Sequence, residues 1–183
     1  FAWQYAEAGY LTFALKDTID NCHLIGIYSV KEMRPGHGFK VGGFSVLPYP
    51  LNHYNTDGTK CPTVGFLITH TDCGRICFFT DCESFTREVM TDDGLRYIPY
   101  DFPNVSHWLM ECNYDNAIIN RSKHIPDFVK DRIKHSHMSL TNTLKVARHV
   151  DLTSTREILL IHISDGNADD RKFVREMRAA TGK

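Results

Sequence analysis

The sequence predicts one α/β domain of the α+β kind, in which strands come first and helices alternate with strands later. From residue 26 to residue 81, short alternating or apolar segments are separated by Gly, Pro and Asp, a pattern typical of strands and turns. From residue 127 onwards, segments with helical spacing surround one continuous apolar run. The 183 residues are 42% hydrophobic, enough to bury one core of ordinary domain size. We therefore expect residues 1–183 to form a single domain.

The first half is predicted to be mainly β-strand. Residues 2–9 are typical of a helix that ends at Gly9, because glycine commonly follows a helix C-terminus. A short strand or turn and a small helix follow, and residues 82–92 are predicted to be a helical turn or a mobile loop. THTDCGRI is predicted to be a hairpin turn between two strands. The predicted strands are IGIYSVKEM, FKVGGFSVLPYPL, TVGFLITH and RICFFTDC.

The second half alternates strands with helices. HWLMECNYD is predicted to be a buried strand that ends in polar residues. Asp127 to Lys134 and Leu140 to Val150 are predicted helices, the second with a serine or threonine available as N-cap. REILLIHIS is apolar throughout, which favours a strand buried on both faces. The last helix is predicted to follow Asp169 and Asp170 and to end at Gly182.

Charge and cysteine content exclude some classes of protein. The 21 Lys and Arg and 22 Asp and Glu give a net charge of -1, which argues against binding nucleic acid by bulk charge, although a local basic patch is compatible with it. No apolar run approaches the roughly 18–20 residues that span a bilayer, so no membrane partner is expected. The cysteines lack the regular spacing of a disulfide scaffold, which favours reduced thiols and a cytoplasmic location. Cys73, Cys77 and Cys82 are predicted to be buried thiols.

Three polar residues stand at the ends of apolar strands: His53, Asp81 and His162. Strand ends are where a rigid sheet aims side chains into a shared site. Two histidines and one aspartate are a suitable ligand set for zinc, manganese or iron. For each residue alone, the alternative is an ordinary hydrogen-bonded core residue.

Two further clusters lie at element ends. Glu111 ends a predicted strand, where its carboxylate would orient a metal-bound histidine or act as an acid or base. The alternative is a turn, which the neighbouring Asn and Asp also favour. His137 and Ser139 precede a helix, where free amides form an anion site. The alternative there is an N-cap with solvated histidines.

Taken in order, these elements resemble the C-terminal two-thirds of a metallo-β-lactamase-fold hydrolase. The resemblance is closer to its phosphodiesterase and nuclease branch, which includes ribonuclease Z and small bacterial and phage relatives. It implies an αββα sandwich and runs from about Gly42 to Gly182. The segments that carry it are VGGFSVLPYPLNHYN, CFFTDC, LMECNYD, HSHMSLTNTLKVA and LLIHISDGNADD.

The resemblance implies a role for each candidate residue. His53 and His162 would each hold one metal ion and Asp81 would bridge two, most often zinc in this fold, with manganese as the other possibility. Glu111 and His137 would be catalytic, the first orienting a histidine and the second stabilising or protonating the leaving oxygen. The residues expected to contact the substrate are Asn113, Ser139 and Ser164.

The chain departs from the family pattern in one respect. The H-x-H-x-D-H motif, which supplies four of the usual ligands, is absent, and His23 and His37 are isolated. We therefore expect half of a metal centre in an N-terminally incomplete domain, with an intact protein longer by about 60–80 residues.

The predicted function is metal-dependent hydrolysis of a phosphodiester in a nucleic acid or nucleotide. One alternative is a cyclic nucleotide phosphodiesterase of the phage counter-defence kind, since a small substrate needs no broad basic surface. Another is a catalytically inactive fragment or scaffold that forms a homo-oligomer through an uncovered sheet.

Overall fold

The computed structural model describes residues 2–55 and 57–183. Its strands are β1 (Thr12–Ala14), β2 (Val30–Glu32), β3 (Phe39–Val41), β4 (Phe44–Leu51), β5 (Thr63–His70), β6 (Gly74–Phe79), β7 (Thr86–Thr91), β8 (Gly94–Pro99), β9 (His107–Glu111) and β10 (Glu157–Ile161). Its helices are α1 (Ala2–Glu7), α2 (Lys16–Asn21), α3 (Asn116–Arg121), α4 (Asp127–Ser136), α5 (Leu140–His149) and α6 (Asp170–Thr181). The predicted mixed α/β class is confirmed.

A six-stranded sheet with the order β10-β9-β6-β5-β4-β3 forms the centre of the fold. β3 to β6 run antiparallel, whereas β9 is parallel to both β6 and β10. Phe79 pairs with Met110, and Ile161 pairs with Glu111. The carboxyl ends of these three parallel strands therefore meet at one edge of the sheet.

The main core lies on one face of this sheet. Cys77, Phe79, Trp108 and Met110 are each fully buried on β6 and β9. The segment around Phe85, the chain that follows β8 and part of α5 cover them. Burial of an aliphatic or aromatic side chain contributes roughly 1.5–3 kcal/mol, so this face holds β6 and β9 rigidly in place. A second buried cluster joins α5 and α6.

Several expectations about individual elements were wrong. Residues 86–91 form strand β7, which pairs with β8, rather than a helical turn or loop. β10 is an edge strand with Leu159 42% exposed, so its apolar run does not signify burial on both faces. Cys73 lies exposed at the turn between β5 and β6, whereas Cys77 and Cys82 are buried as predicted. α3, which is 6 residues long, was not predicted.

The described helices are also short. Within residues 2–55 and 57–183, no helix is long and apolar enough to cross a membrane.

Candidate metal centre

The candidate site lies where the parallel strands end. Glu111 is the last residue of β9, His162 follows β10 directly, and Asp81 comes two residues after β6. Because these strands are neighbours and point the same way, their final side chains reach one edge of the sheet. The topology alone therefore brings two carboxylates and one imidazole together.

His137 reaches the same place from the helices. It follows α4 with an extended backbone, at φ -137 and ψ 156, and so leads the chain out of the helix. The next residue, Met138, accepts a 2.9 Å hydrogen bond from the amide of Asn113. A β-bridge between Tyr114 and Ser139 adds a second link. The segment between α4 and α5 is thus fixed to the end of β9.

Asp81, His137 and His162 form a compact group. Each offers one ligand atom, and these atoms all lie within 4.8 Å of one another. His162 Nε2 is 3.7 Å from Asp81 Oδ1, and His137 Nδ1 is 3.8 Å from the same oxygen. All three side chains keep some exposure, from 21% to 48%. The group is therefore open to a ligand from solvent.

Glu111 lies behind the two imidazoles and is completely buried. Its Oε1 is 2.7 Å from Nδ1 of His137 and 3.1 Å from Nδ1 of His162. Its Oε2 accepts a 2.9 Å hydrogen bond from the amide of Cys82. We assign the Nδ1 proton to both rings, because an ionised carboxylate can only accept. The Nε2 atoms are then left for a metal ion or a substrate.

The backbone at two of these positions is unusual. Asp81 has φ 53 and His162 has φ 57, both in the left-handed region that few non-glycine residues adopt. Such a conformation costs on the order of 1–3 kcal/mol and is kept where the surrounding structure enforces it. At His162, the side-chain amide of Asn113 donates a 2.7 Å hydrogen bond to the backbone carbonyl. This bond stabilises the turn that begins at His162, directly after β10.

The three grouped residues fit a divalent metal ion. Two imidazole nitrogens and one carboxylate oxygen are typical ligands of a catalytic zinc site that keeps one position open, and they also suit manganese or iron. The carboxylate of Glu111 on the far side of both rings is the usual arrangement for orienting histidine ligands. Within the described part of the chain, no other group of three His, Cys, Asp or Glu residues lies this close together. The described residues thus bring together one group of three candidate ligands.

His53 lies beside this group but outside it. Its Nδ1 is 3.1 Å from the carbonyl oxygen of Ser136, and its ring centroid is 6.3 Å from that of His137. His137, which we expected to act on the substrate, is one of the three grouped side chains. No sequence pattern indicated this, because its position depends on how the segment between α4 and α5 folds back.

The three residues expected to contact substrate have partners within the protein. Asn113 donates to His162, as described, and is 8% exposed. Ser139 is 2% exposed, and its hydroxyl accepts from the amide of Asn142 as the N-cap of α5. Ser164 accepts a 3.2 Å hydrogen bond from Asn167. Ser139 is thus closed to solvent. Asn113 stabilises the backbone at His162.

Two groups that sequence reasoning missed support Glu111. One is the amide of Cys82, and the other is Thr143, whose buried hydroxyl donates a 2.7 Å hydrogen bond to the Glu111 carbonyl. Burial, together with the charge of Glu111, raises the pKa of the Cys82 thiol well above its ordinary value. The thiol therefore stays neutral beside the carboxylate. The contact made by the Cys82 amide could not be predicted, because every residue except proline has a backbone amide. For Thr143, the only indication was its helical spacing from Ser139, which places it on the side of α5 that faces the protein.

Comparison with known proteins agrees with this architecture. The model of a family described as the beta-lactamase superfamily domain matches residues 7–163. No curated protein is significantly similar in sequence.

Three solved structures are similar in fold. The metallo-beta-lactamase fold protein YhfI from Bacillus subtilis is 12% identical with a TM-score of 0.55, covering 92% of this chain and 58% of that protein. Igni18, a metallo hydrolase from the archaeon Ignicoccus hospitalis, is 12% identical with a TM-score of 0.58, covering 97% and 65%. Unliganded yeast PDE1 is 14% identical with a TM-score of 0.57, covering 91% and 53%. The chain thus spans less than two thirds of each of these structures.

Proposed function

This chain belongs to the beta-lactamase superfamily of metallo-β-lactamase-fold hydrolases, and on that basis we propose that it hydrolyses phosphodiester bonds with a bound divalent metal ion. The observation that carries the proposal is the group of Asp81, His137 and His162 with Glu111 buried behind the two rings. The phosphodiester choice draws support from yeast PDE1, a phosphodiesterase, among the structural neighbours. It also draws on the resemblance of the ECNYD and HSHMS segments to that branch.

In this proposal, Asp81 and His162 hold the ion, with His137 close enough to be a third ligand. When bound, a divalent ion supplies a Lewis acid for a phosphoryl oxygen and makes water a better nucleophile near neutral pH. Zinc is our first choice because two imidazoles and a carboxylate are among its typical ligands, and manganese is the second.

The protein orients the two histidine rings. Glu111 accepts the Nδ1 proton of His137, which would leave Nε2 of that ring free for the ion. Glu111 contacts His162 through the same oxygen, so one carboxylate sets the direction of both rings. Because Glu111 is fully buried, water does not compete for the contacts that orient the two rings.

Hydrolysis of bis(p-nitrophenyl) phosphate by protein loaded with zinc or manganese tests the proposal. We expect turnover that a chelator abolishes and that falls at least about 100-fold in Asp81→Ala and His162→Ala. His124→Ala is the matched control, because His124 is exposed and outside the group. Unchanged turnover in Asp81→Ala would contradict the assigned site. Absence of metal binding and turnover in the wild-type chain would favour the inactive or scaffold alternative.

A cyclic nucleotide phosphodiesterase is the second candidate. The net charge of -1 favours it, since a small substrate needs few basic contacts. Hydrolysis of 3′,5′-cyclic nucleotides in preference to an oligonucleotide would support this candidate.

A further inference from the structure

We infer that a groove beside the metal centre binds single-stranded nucleic acid, an inference that rests on the proposed phosphodiester hydrolysis and names its substrate. The groove consists of three adjoining cavities of about 590, 350 and 360 Å³. The first and second share Tyr54 and Glu83, and the second and third share Ser84 and Asn142. The cavities therefore form one continuous groove from α4 to α5 and the β7–β8 hairpin. We call it the α4–α5 groove.

The α4–α5 groove passes next to the metal centre. Glu83 and Ser84 in its wall come two and three residues after Asp81, and His135 comes two residues before His137. Since consecutive Cα atoms are about 3.8 Å apart, the Cα atoms of these wall residues lie within about 12 Å of those of Asp81 and His137. A strand in the groove would bring a phosphodiester near the proposed metal ligands.

The walls of the groove are fixed rather than loose. The Ser136 hydroxyl, at the end of α4, donates a 3.3 Å hydrogen bond to the carbonyl of Tyr54. His135 Nδ1 is 3.3 Å from a carboxylate oxygen of Glu83. The amide of Glu83 donates a 2.8 Å bond to the carbonyl of Asn52. The largest of the three cavities is thus held open by bonds between α4, the segment after β4 and the segment after β6.

Aromatic rings stand along the groove at separate points. Phe128 on α4 is 71% exposed, and Tyr97 on β8 is 52% exposed. Tyr54 lines both of the cavities to which these two rings belong. Exposed rings that line a groove are platforms on which successive bases stack, whatever the sequence. A small cyclic nucleotide would use one such ring, whereas an extended strand uses several.

Positively charged side chains lie at both ends of the groove. Arg132 lines the cavity at α4, and Lys145 lines the cavity at α5. Within residues 2–55 and 57–183, neither side chain forms an ion pair. Two separated cations suit two phosphates of an extended strand. Asp131 and Glu83, which line the same cavity as Arg132, disfavour a densely charged duplex. The net charge of -1 is therefore compatible with a short single strand.

Binding of fluorescein-labelled decathymidylate, measured by fluorescence anisotropy on metal-free protein in low salt, tests the inference. We expect Lys145→Glu and Phe128→Ala each to weaken binding at least about fivefold, because each removes a phosphate or base contact. Arg175→Glu is the charge-matched control on exposed α6 and should stay within about twofold of wild type. The slope of log affinity against log salt should fall by about 0.7 in Lys145→Glu, the value for one phosphate of a single strand.

Several results would overturn the inference. These are no binding by wild-type protein, an equal loss in Arg175→Glu, or displacement of the oligonucleotide by an acidic peptide but not by unlabelled decathymidylate. Because the assay contains no metal, it is independent of hydrolysis. Turnover of bis(p-nitrophenyl) phosphate without oligonucleotide binding would refute the groove and leave the proposed function. Oligonucleotide binding without turnover under any metal would support the groove and contradict the proposed hydrolysis.

Discussion

Glu111 shows how a single buried residue determines the geometry of the candidate site. Both of its carboxylate oxygens have partners: the two histidine rings on one side and the Cys82 amide on the other. A buried carboxylate without such partners would be strongly unfavourable, so its position is coupled to that of the rings. Asp81 and His162 are themselves fixed in left-handed backbone conformations. The two histidine rings are therefore oriented by Glu111 inside the protein rather than by the ion.

Replacing Glu111 by glutamine tests this coupling. Glu111→Gln keeps the size of the side chain but removes its charge and one acceptor oxygen. We expect metal affinity to fall by about 10–100-fold, as is usual when a group that orients histidine ligands is lost. Competition with a chromophoric chelator measures the affinity.

The control for this change is Glu157→Gln on the exposed side of β10. Thermal unfolding of the metal-free proteins separates a general folding defect from a misplaced ligand. Equal metal affinity in both variants and wild type would show that Glu111 does not orient the rings.

Part of this residue-scale picture could be predicted from the sequence. Asp81, Glu111 and His162 follow strands, and parallel neighbouring strands bring such residues together. His137 and His53 could not be placed in the same way, because their positions depend on how loops cross the edge of the sheet. The role of Asn113 was also hidden, since its partner is a backbone carbonyl.

Among the strands, the pairing of β4 with β5 depends on a glycine. Gly65 stands opposite Tyr49, whose buried ring lies over it. A Cβ atom at Gly65 would lie only 2.6 Å from Cε2 of that ring. The Tyr49 hydroxyl meanwhile donates a 3.0 Å hydrogen bond to the carbonyl of Phe78 on β6. The ring cannot move aside without breaking a contact that joins three strands.

We therefore expect Gly65→Ala to lower the free energy of unfolding by about 1–3 kcal/mol, as overpacking of a core usually does. Urea unfolding followed by circular dichroism measures the change. Gly38→Ala is the control, because a Cβ there would lie an ordinary 3.5 Å from the carbonyl of Val46. A destabilisation no larger than that of Gly38→Ala would disprove the close approach.

The attachment of α3 to α6 predicts a pH effect. Asp115 caps α3 through the amide of Ala117 and forms an ion pair with Lys172 on α6. Burial by itself raises the pKa of Asp115, but the hydrogen bonds from Lys172 and Ala117 outweigh it and hold the pKa below its ordinary value. A lowered pKa means that the folded protein binds the proton less readily than the unfolded chain does. The stabilisation is therefore present above the unfolded pKa near 3.9 and is lost as the pH falls through the folded pKa.

Asp115→Asn should lower the free energy of unfolding at pH 7 by about 1.5–3 kcal/mol, the range for a hydrogen bond to a charged group. Its stability should also depend less on pH than that of wild type below about pH 5. Urea unfolding across this pH range measures both effects. Asp127→Asn is the control, since Asp127 pairs with Lys130 but is 93% exposed. A pH dependence that is the same in wild type and Asp115→Asn would contradict the assignment.

The elements that the sequence predicted well differ from those it missed in how many local signals agree. α5 and α6 were predicted because N-caps, helical spacing and a final glycine all agree with one another. The β7–β8 hairpin was missed although Asp92 and Asp93, which form its turn before Gly94, are typical turn residues, because its exposed strands lack a regular apolar alternation. The two-sided burial predicted for β10 could not be judged from composition, since edge position depends on the order of strands in the sheet.

Across the whole molecule, the candidate ligands join segments that are far apart in the chain. Asp81 follows β6, His137 lies between α4 and α5, and His162 follows β10. An unfolded chain does not hold these three side chains within 4.8 Å, so an ion bound at this site binds the folded state only. Metal binding must then stabilise the entire fold, because the three segments belong to one sheet and the helices packed on it.

We expect zinc or manganese at about 100 times its dissociation constant to add about 2.7 kcal/mol to the free energy of unfolding. For a chain of this size, that corresponds to a rise of roughly 5–10 °C in the Tm. Differential scanning calorimetry with and without a chelator measures it. Asp81→Asn should abolish the rise while keeping the metal-free Tm close to that of wild type, because asparagine tolerates the left-handed backbone at this position. His124→Asn should retain the full rise, since His124 is exposed and lies outside the group. An identical rise in Asp81→Asn and wild type would mean that the ion binds elsewhere and that the three grouped side chains are not its ligands.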